Sequence, residues 1–152
     1  MREINYPIIV SDFDGTLLTG EHNVTDGVKK AINEYVASGG VFAVCTGRML
    51  CCILPCVRAL GLTGYVVAHQ GTVIAEIESG KTIKYGGFKV DDTVEICRNL
   101  EELGYPPNVY AGDAMYTTIA EDDKYLLRYE GIVGLKSTHV TGVMSAFFVK
   151  NG

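Results

Sequence analysis

Tyr6-Pro7-Ile8-Ile9-Val10-Ser11-Asp12-Phe13-Asp14-Gly15-Thr16 sets a short apolar, β-branched run directly before two aspartates and a glycine. Such a run predicts a parallel strand buried on both faces, because a strand covered twice has no need to alternate apolar with polar residues. The aspartates then fall at its carboxyl end. Downstream, Thr25 is a plausible N-cap for a helix carrying Val28, Ile32, Tyr35 and Val36 at helical spacing and ending at Gly39-Gly40. Val41 to Cys45 reads as a second buried strand with Thr46-Gly47-Arg48 at its end. A second helix, about Met49 to Leu60, closes at Gly61, and Tyr65 to Ala68 is a third strand. Strand, helix, strand, helix, strand implies an α/β fold with a parallel sheet and right-handed crossovers. In such sheets functional groups gather beyond the carboxyl ends of the strands, and Asp12, Asp14 and Thr46 are all expected there.

After Ala68 the pattern changes. Thr72–Ile77 and Thr82–Tyr85, separated by Glu78-Ser79-Gly80-Lys81, predict a hairpin. A helix is expected at about Asp91 to Leu103, with Val94, Cys97, Leu100 and Leu103 on one side. Two strands, Asn108–Ala111 and Met115–Ile119, flank Gly112-Asp113. A short helix near Asp122 to Tyr129 follows, and Met144 to Lys150 reads as a last strand. This α-β-β-α-β order requires a partly antiparallel sheet. The boundary is expected near residue 86, giving units 1–85 and 86–152.

The chain has 152 residues and a formal net charge of −5, which argues against a nucleic-acid partner, since phosphate-backbone binding needs a basic face. It leaves room for a small phosphorylated ligand, which needs one local positive site. No apolar run reaches the roughly 18 residues of a membrane span. The start, Met1-Arg2-Glu3-Ile4-Asn5-Tyr6-Pro7, lacks the apolar stretch of a signal peptide, so a mature cytoplasmic protein is expected. The five cysteines show no paired metal-site spacing, and buried reduced thiols are expected.

The aspartate pair has a chemical use. Asp12 can attack phosphorus, since carboxylates form acyl phosphates in known enzymes. Two anions repel, so a hard cation is needed between them, and Mg2+ takes oxygen ligands and polarises phosphoryl oxygens. An Asp12 oxygen and the Asp14 backbone carbonyl are its expected ligands. Asp14 is placed to protonate the leaving oxygen and then activate water. Gly15 permits a sharp turn whose N–H groups face the phosphate, and Thr46 offers a hydroxyl. A bare capping turn is the plain alternative. A calcium loop is excluded, because Leu17 and Asn23 stand where it needs glycine and glutamate.

Asp12-Phe13-Asp14-Gly15-Thr16-Leu17-Leu18 followed by Thr46-Gly47-Arg48 resembles the haloacid dehalogenase superfamily of phosphatases and phosphotransferases, in particular its Cof-type group with a type IIB α/β cap. Gln70-Gly71-Thr72-Val73-Ile74 is similar to that group's segment before the cap, with Gln70 standing where asparagine is expected. The resemblance implies a Rossmann-like core, here in its N-terminal part, and an incomplete α+β cap. It implies Asp12 as nucleophile, Asp14 as acid/base, and Asp12 and Asp14 as magnesium ligands. Phosphate contacts are implied for Phe13, Gly15, Thr16, Thr46 and Gly47, with Arg48 serving either substrate or fold.

The family also uses a later lysine and a Gly-Asp-x-x-Asn-Asp-like segment, which this sequence does not reach. The expectation is a truncated chain of weak or absent turnover, associating with itself through an exposed sheet edge. Gly112-Asp113 and Glu121-Asp122-Asp123 read as a turn and a helix start, and Lys124 and Lys150 are poorly positioned for the missing lysine. A phosphomutase and a non-catalytic binding remnant are the alternatives.

Overall fold

The computed structural model describes residues 5–18 and 23–151, so the expectation made on Met1–Ile4 lies outside the described residues. The chain forms two compact units, divided between Gly86 and Gly87.

The first unit is built on a five-stranded sheet in the order β1 (Ile8–Asp12), β2 (Val41–Cys45), β3 (Tyr65–Ala68), β4 (Val73–Glu76), β5 (Thr82–Tyr85). β1, β2 and β3 are parallel, as the strand–helix rhythm requires, and the β4–β5 hairpin then joins the same sheet antiparallel. The crossovers are α1 (Asp26–Ala37) and α2 (Leu50–Ala59). Thr25 caps α1 by accepting the Val28 N–H, satisfying one of the donors a helix start leaves over.

On β2, Phe42, Ala43 and Val44 are all buried, as expected of a strand covered on both faces. Phe42 and Val44 join Phe13, Ile53, Val57, Val66 and Ile77 in one core. Gly64 is fixed by the same closeness: a Cβ there would lie 2.2 Å from the Phe42 carbonyl oxygen. β1 sits at the end of the strand order, and Ile8, Ile9 and Val10 are 61%, 41% and 57% exposed. The apolar run predicted to be buried is therefore an open edge among the described residues.

The second unit holds α3 (Val90–Glu102), β6 (Val109–Ala111), β7 (Ala114–Thr117), α4 (Lys124–Val133), β8 (Thr138–His139) and α5 (Met144–Asn151). β6 and β7 are antiparallel and β7 and β8 parallel. Gly112-Asp113 is the β6–β7 turn. Asp123 caps α4 through the Tyr125 and Leu126 N–H groups, both at 2.9 Å, so the acidic run opens a helix.

Met144–Lys150 was expected to be a strand and is the helix α5. The run is short and apolar, so periodicity alone does not separate the two states. Two tertiary contacts decide it. Met144 and Phe148 are buried against Val94 and Cys97 of α3. The Glu101 carboxylate of α3 accepts from Ser145 N–H at 3.2 Å and Ser145 Oγ at 2.6 Å, which satisfies a first-turn donor from another helix. Of the cysteines, Cys97 is buried as expected, whereas Cys45, Cys51, Cys52 and Cys56 are only half-buried. No described helix is long and apolar enough to cross a membrane.

Candidate active site

β1 ends at Asp12 and the chain turns at once. Asp14 (φ −80°, ψ 118°) and Gly15 (φ 78°, ψ 1°) are the central residues of a type II turn, whose second central position requires positive φ. Space is no constraint at Gly15, since an added Cβ meets nothing within 4 Å; the requirement is backbone conformation alone. The turn is anchored by the side chains of Phe13 and Leu17, both buried, and closed by the Leu18 N–H donating to the Phe13 carbonyl at 2.9 Å. With its ring in the core, Phe13 can meet a ligand only through its backbone. Asp12, Asp14 and Thr16 are exposed. The Thr16 hydroxyl donates to Asp12 Oδ2 at 3.4 Å.

The neighbouring strand end is fixed by register. Asp12 pairs with Cys45, so Thr46 follows directly beside the aspartate turn. Thr46 is buried; its N–H donates to the Val67 carbonyl at 2.9 Å and its Oγ1 accepts the Arg48 N–H at 3.2 Å. As an acceptor there, the hydroxyl keeps its own proton for donation elsewhere.

Arg48 grips Asp14 with both arms, Nε to Oδ2 at 2.9 Å and Nη2 to Oδ1 at 2.6 Å. The fork geometry is the strong, bidentate form of this pair. Its charged form is favoured chiefly by the Asp14 hydrogen bond, against the opposing effect of burial. The guanidinium also lies 5.4 Å from the centroid of the Phe13 ring. Sequence left open whether Arg48 serves substrate or fold; here it holds the second aspartate.

Sequence reasoning missed the clamp on this loop. His69 and Gln70 both adopt positive φ, 49° and 56°, a conformation side chains other than glycine rarely take. The His69 N–H donates to the Arg48 carbonyl at 3.0 Å, the Gln70 N–H to the Thr46 carbonyl at 3.3 Å, and His69 Nε2 accepts the Leu50 N–H at the start of α2 at 3.2 Å. The Gln70 amide lies over Gly47, where an added Cβ would come within 2.4 Å of its nitrogen. A side chain at Gly47 would displace that flexible amide, so the close approach rests on contact rather than on φ. A histidine before Gln70-Gly71 was the available signal, since histidine tolerates left-handed backbone better than most residues.

For a hard divalent cation the donors fit in kind: the Asp12 carboxylate and the Asp14 backbone carbonyl are both oxygens, at an exposed turn. Among the described residues no group of three or more His, Cys, Asp or Glu side chains could hold a metal ion. Magnesium accepts this arrangement, because it commonly takes one or two carboxylates and fills its remaining positions with water and phosphate oxygens.

A parallel α/β sheet with an aspartate turn and a threonine loop on adjacent strand ends defines the class of open α/β folds that bind ligands beyond the carboxyl ends of their strands. Residues 9–139 match the family of haloacid dehalogenase-like hydrolases, and the chain belongs to that family, in its Cof-type branch. The phosphatase-named protein YxeH of Bacillus subtilis is 27% identical over 131 residues, which are 84% of this chain and 48% of YxeH. A haloacid dehalogenase-like hydrolase from B. subtilis superposes with a TM-score of 0.76 at 22% identity, covering 96% of this chain and 57% of its own. The HAD subclass IIB sugar phosphatase BT4131 superposes at 0.69 with 17% identity, over 88% and 52% of the respective chains. The chain thus spans about half the length of the curated relatives it matches.

Proposed function

We propose that residues 1–85 are the nucleophile-bearing half of a magnesium-dependent phosphatase core, that 86–152 are part of its cap, and that the substrate is a small phosphorylated metabolite of the sugar-phosphate kind. The observation carrying this reading is the register Asp12↔Cys45, which brings an exposed carboxylate and the Thr46 hydroxyl to adjacent strand ends. The phosphatase names of the relatives, and the sugar-phosphatase name of one structural neighbour, support the substrate class.

Asp12 attacks phosphorus through one carboxylate oxygen and becomes an acyl phosphate as the P–O bond to the leaving group breaks. Thr46 donates its hydroxyl to a phosphoryl oxygen, and the turn N–H groups around Gly15 and Thr16, with that of Gly47, face the same group. A magnesium ion held by Asp12 and the Asp14 carbonyl would supply charge neutralisation between nucleophile and phosphate. Asp14 protonates the leaving oxygen, and this requires release from Arg48, whose two donors occupy both carboxylate oxygens. An arriving phosphate gives Arg48 a second anion to grip. Among the described residues the cation and phosphate have few protein partners, which supports the expectation of weak or absent turnover. The open β1 edge favours self-association through added strand pairing.

The test is magnesium-dependent hydrolysis of a chromogenic phosphate ester by the 152-residue chain and its Asp12→Asn variant. Weak, magnesium-dependent release that vanishes in the variant supports the assignment. Release that survives the substitution removes Asp12 as nucleophile, and turnover equal to an intact relative's removes the claim of weakness. No hydrolysis, together with no magnesium binding at millimolar concentration by calorimetry, favours a non-catalytic binding remnant.

A further inference from the structure

The functional site leaves one cluster of chemically capable side chains unused. Cys51 and Cys52 are the second and third residues of α2, with Cys56 one turn further on. The Cys51 and Cys52 sulfurs stand 3.8 Å apart, and Cys56 Sγ donates to the Cys52 carbonyl at 3.3 Å. All three residues are half-buried.

We infer that Cys51 and Cys52 form a two-thiolate site for a soft divalent ion of the zinc class. Four thiolates around zinc, at about 2.3 Å from the metal, make a tetrahedron whose edge is about 3.8 Å. The sulfur pair already spans such an edge, so both ligands can be used without moving the helix. Binding is an acid–base exchange with no change of oxidation state: two S–H bonds lose their protons to solvent, two sulfur–metal bonds form, and water fills the other two positions.

The surroundings suit an anionic ligand pair. The first turn of a helix is its positive end, and Arg48 lies just before it in the chain. Cys52 and Cys56 interact electrostatically with Arg48, favouring its charged form, and the same guanidinium binds Asp14. Positive surroundings of this type are where thiolates serve as ligands. The site differs in kind from the aspartate turn, since sulfur selects soft ions and carboxylate with carbonyl selects magnesium. It stands whether or not the phosphatase reading does. With two protein ligands its affinity is below that of a closed four-ligand site, in keeping with the absence of any larger cluster among the described residues.

Cadmium is the probe, because its thiolate complexes absorb in the ultraviolet by charge transfer and so report sulfur ligation directly. Titration of the reduced 152-residue chain should saturate at one ion, with release of two protons. Cys51→Ser and Cys52→Ser should each reduce the band at least twofold, and the double variant should bring it to background. Cys45→Ser and Cys97→Ser should leave it unchanged, with circular dichroism confirming the fold of each variant. A full band in the double variant would overturn the site. A loss on Cys56→Ser equal to that on Cys52→Ser would overturn the two-sulfur assignment.

Discussion

Asp12 of the first unit and the acids Glu130 and Glu101 of the second are used in opposite ways. In the first unit Asp12 ends a strand in the open, its carboxylate held among the described residues by a long contact from Thr16 at 3.4 Å. In the second unit the corresponding negative charges are committed. Glu130 is buried and accepts from Ser137 N–H and Oγ at 2.8 and 2.5 Å while pairing with Lys136 at 3.1 Å. Glu101 closes the start of α5. A carboxylate whose oxygens are filled by the protein stabilises a fold, and Asp14, gripped by Arg48, must first be released before it can do chemistry. One left open at a strand end contributes little to stability and remains available to a ligand.

Substitution should separate the two uses most sharply at Asp12. Asp12→Asn should reduce phosphate-ester turnover about a thousandfold or more, while shifting unfolding free energy by less than about 0.5 kcal/mol; a single-turnover assay beside a urea melt measures both. Gly15→Ala mixes the categories. It forces φ 78° on a residue with a Cβ, costing about 1–2 kcal/mol, and misaims the turn N–H groups, so stability and turnover should fall together. Glu101→Ala should cost about 0.5–2 kcal/mol, the range for a lost helix cap, with turnover untouched in the same paired assays.

The gentlest probe is acid. Hydrogen bonds from Ser137, then Lys136, hold Glu130 down to about 2 from its ordinary 4.5. A lowered folded-state value means this stabilisation is complete above about 4.5 and is lost as pH falls toward 2. Melts across that window should show a slope that Glu130→Gln flattens; an unchanged slope would place the acid sensitivity elsewhere.

What the sequence disclosed follows the reach of each signal. The aspartate turn, the Thr25 cap and the Thr46-Gly47-Arg48 loop are written in a few adjacent residues, and strand–helix rhythm placed them on one sheet. The features missed depend on residues far apart in the chain. α5 owes its helical state to Glu101 and to a surface on α3. The Arg48 grip on Asp14 joins positions 34 apart. The His69–Gln70 clamp takes its meaning from Gly47 and Leu50, which no local pattern connects to it. β8, two residues long, exists only as a partner for β7. The β1 run was read correctly as a parallel strand but not as a buried one, because apolar composition does not say which neighbours are there to cover it.

The Asp12↔Cys45 pairing also bears on how the chain acquires its chemistry in time. Neither loop is a site alone, and sliding β1 past β2 by a single residue would swing the Asp12 side chain to the opposite face of the sheet. Helices α1 and α2 can form in microseconds from local contacts, whereas this parallel match must first close the loop containing α1. During refolding, the return of ligand binding at the aspartate turn therefore clocks strand alignment, and should lag the recovery of helical signal.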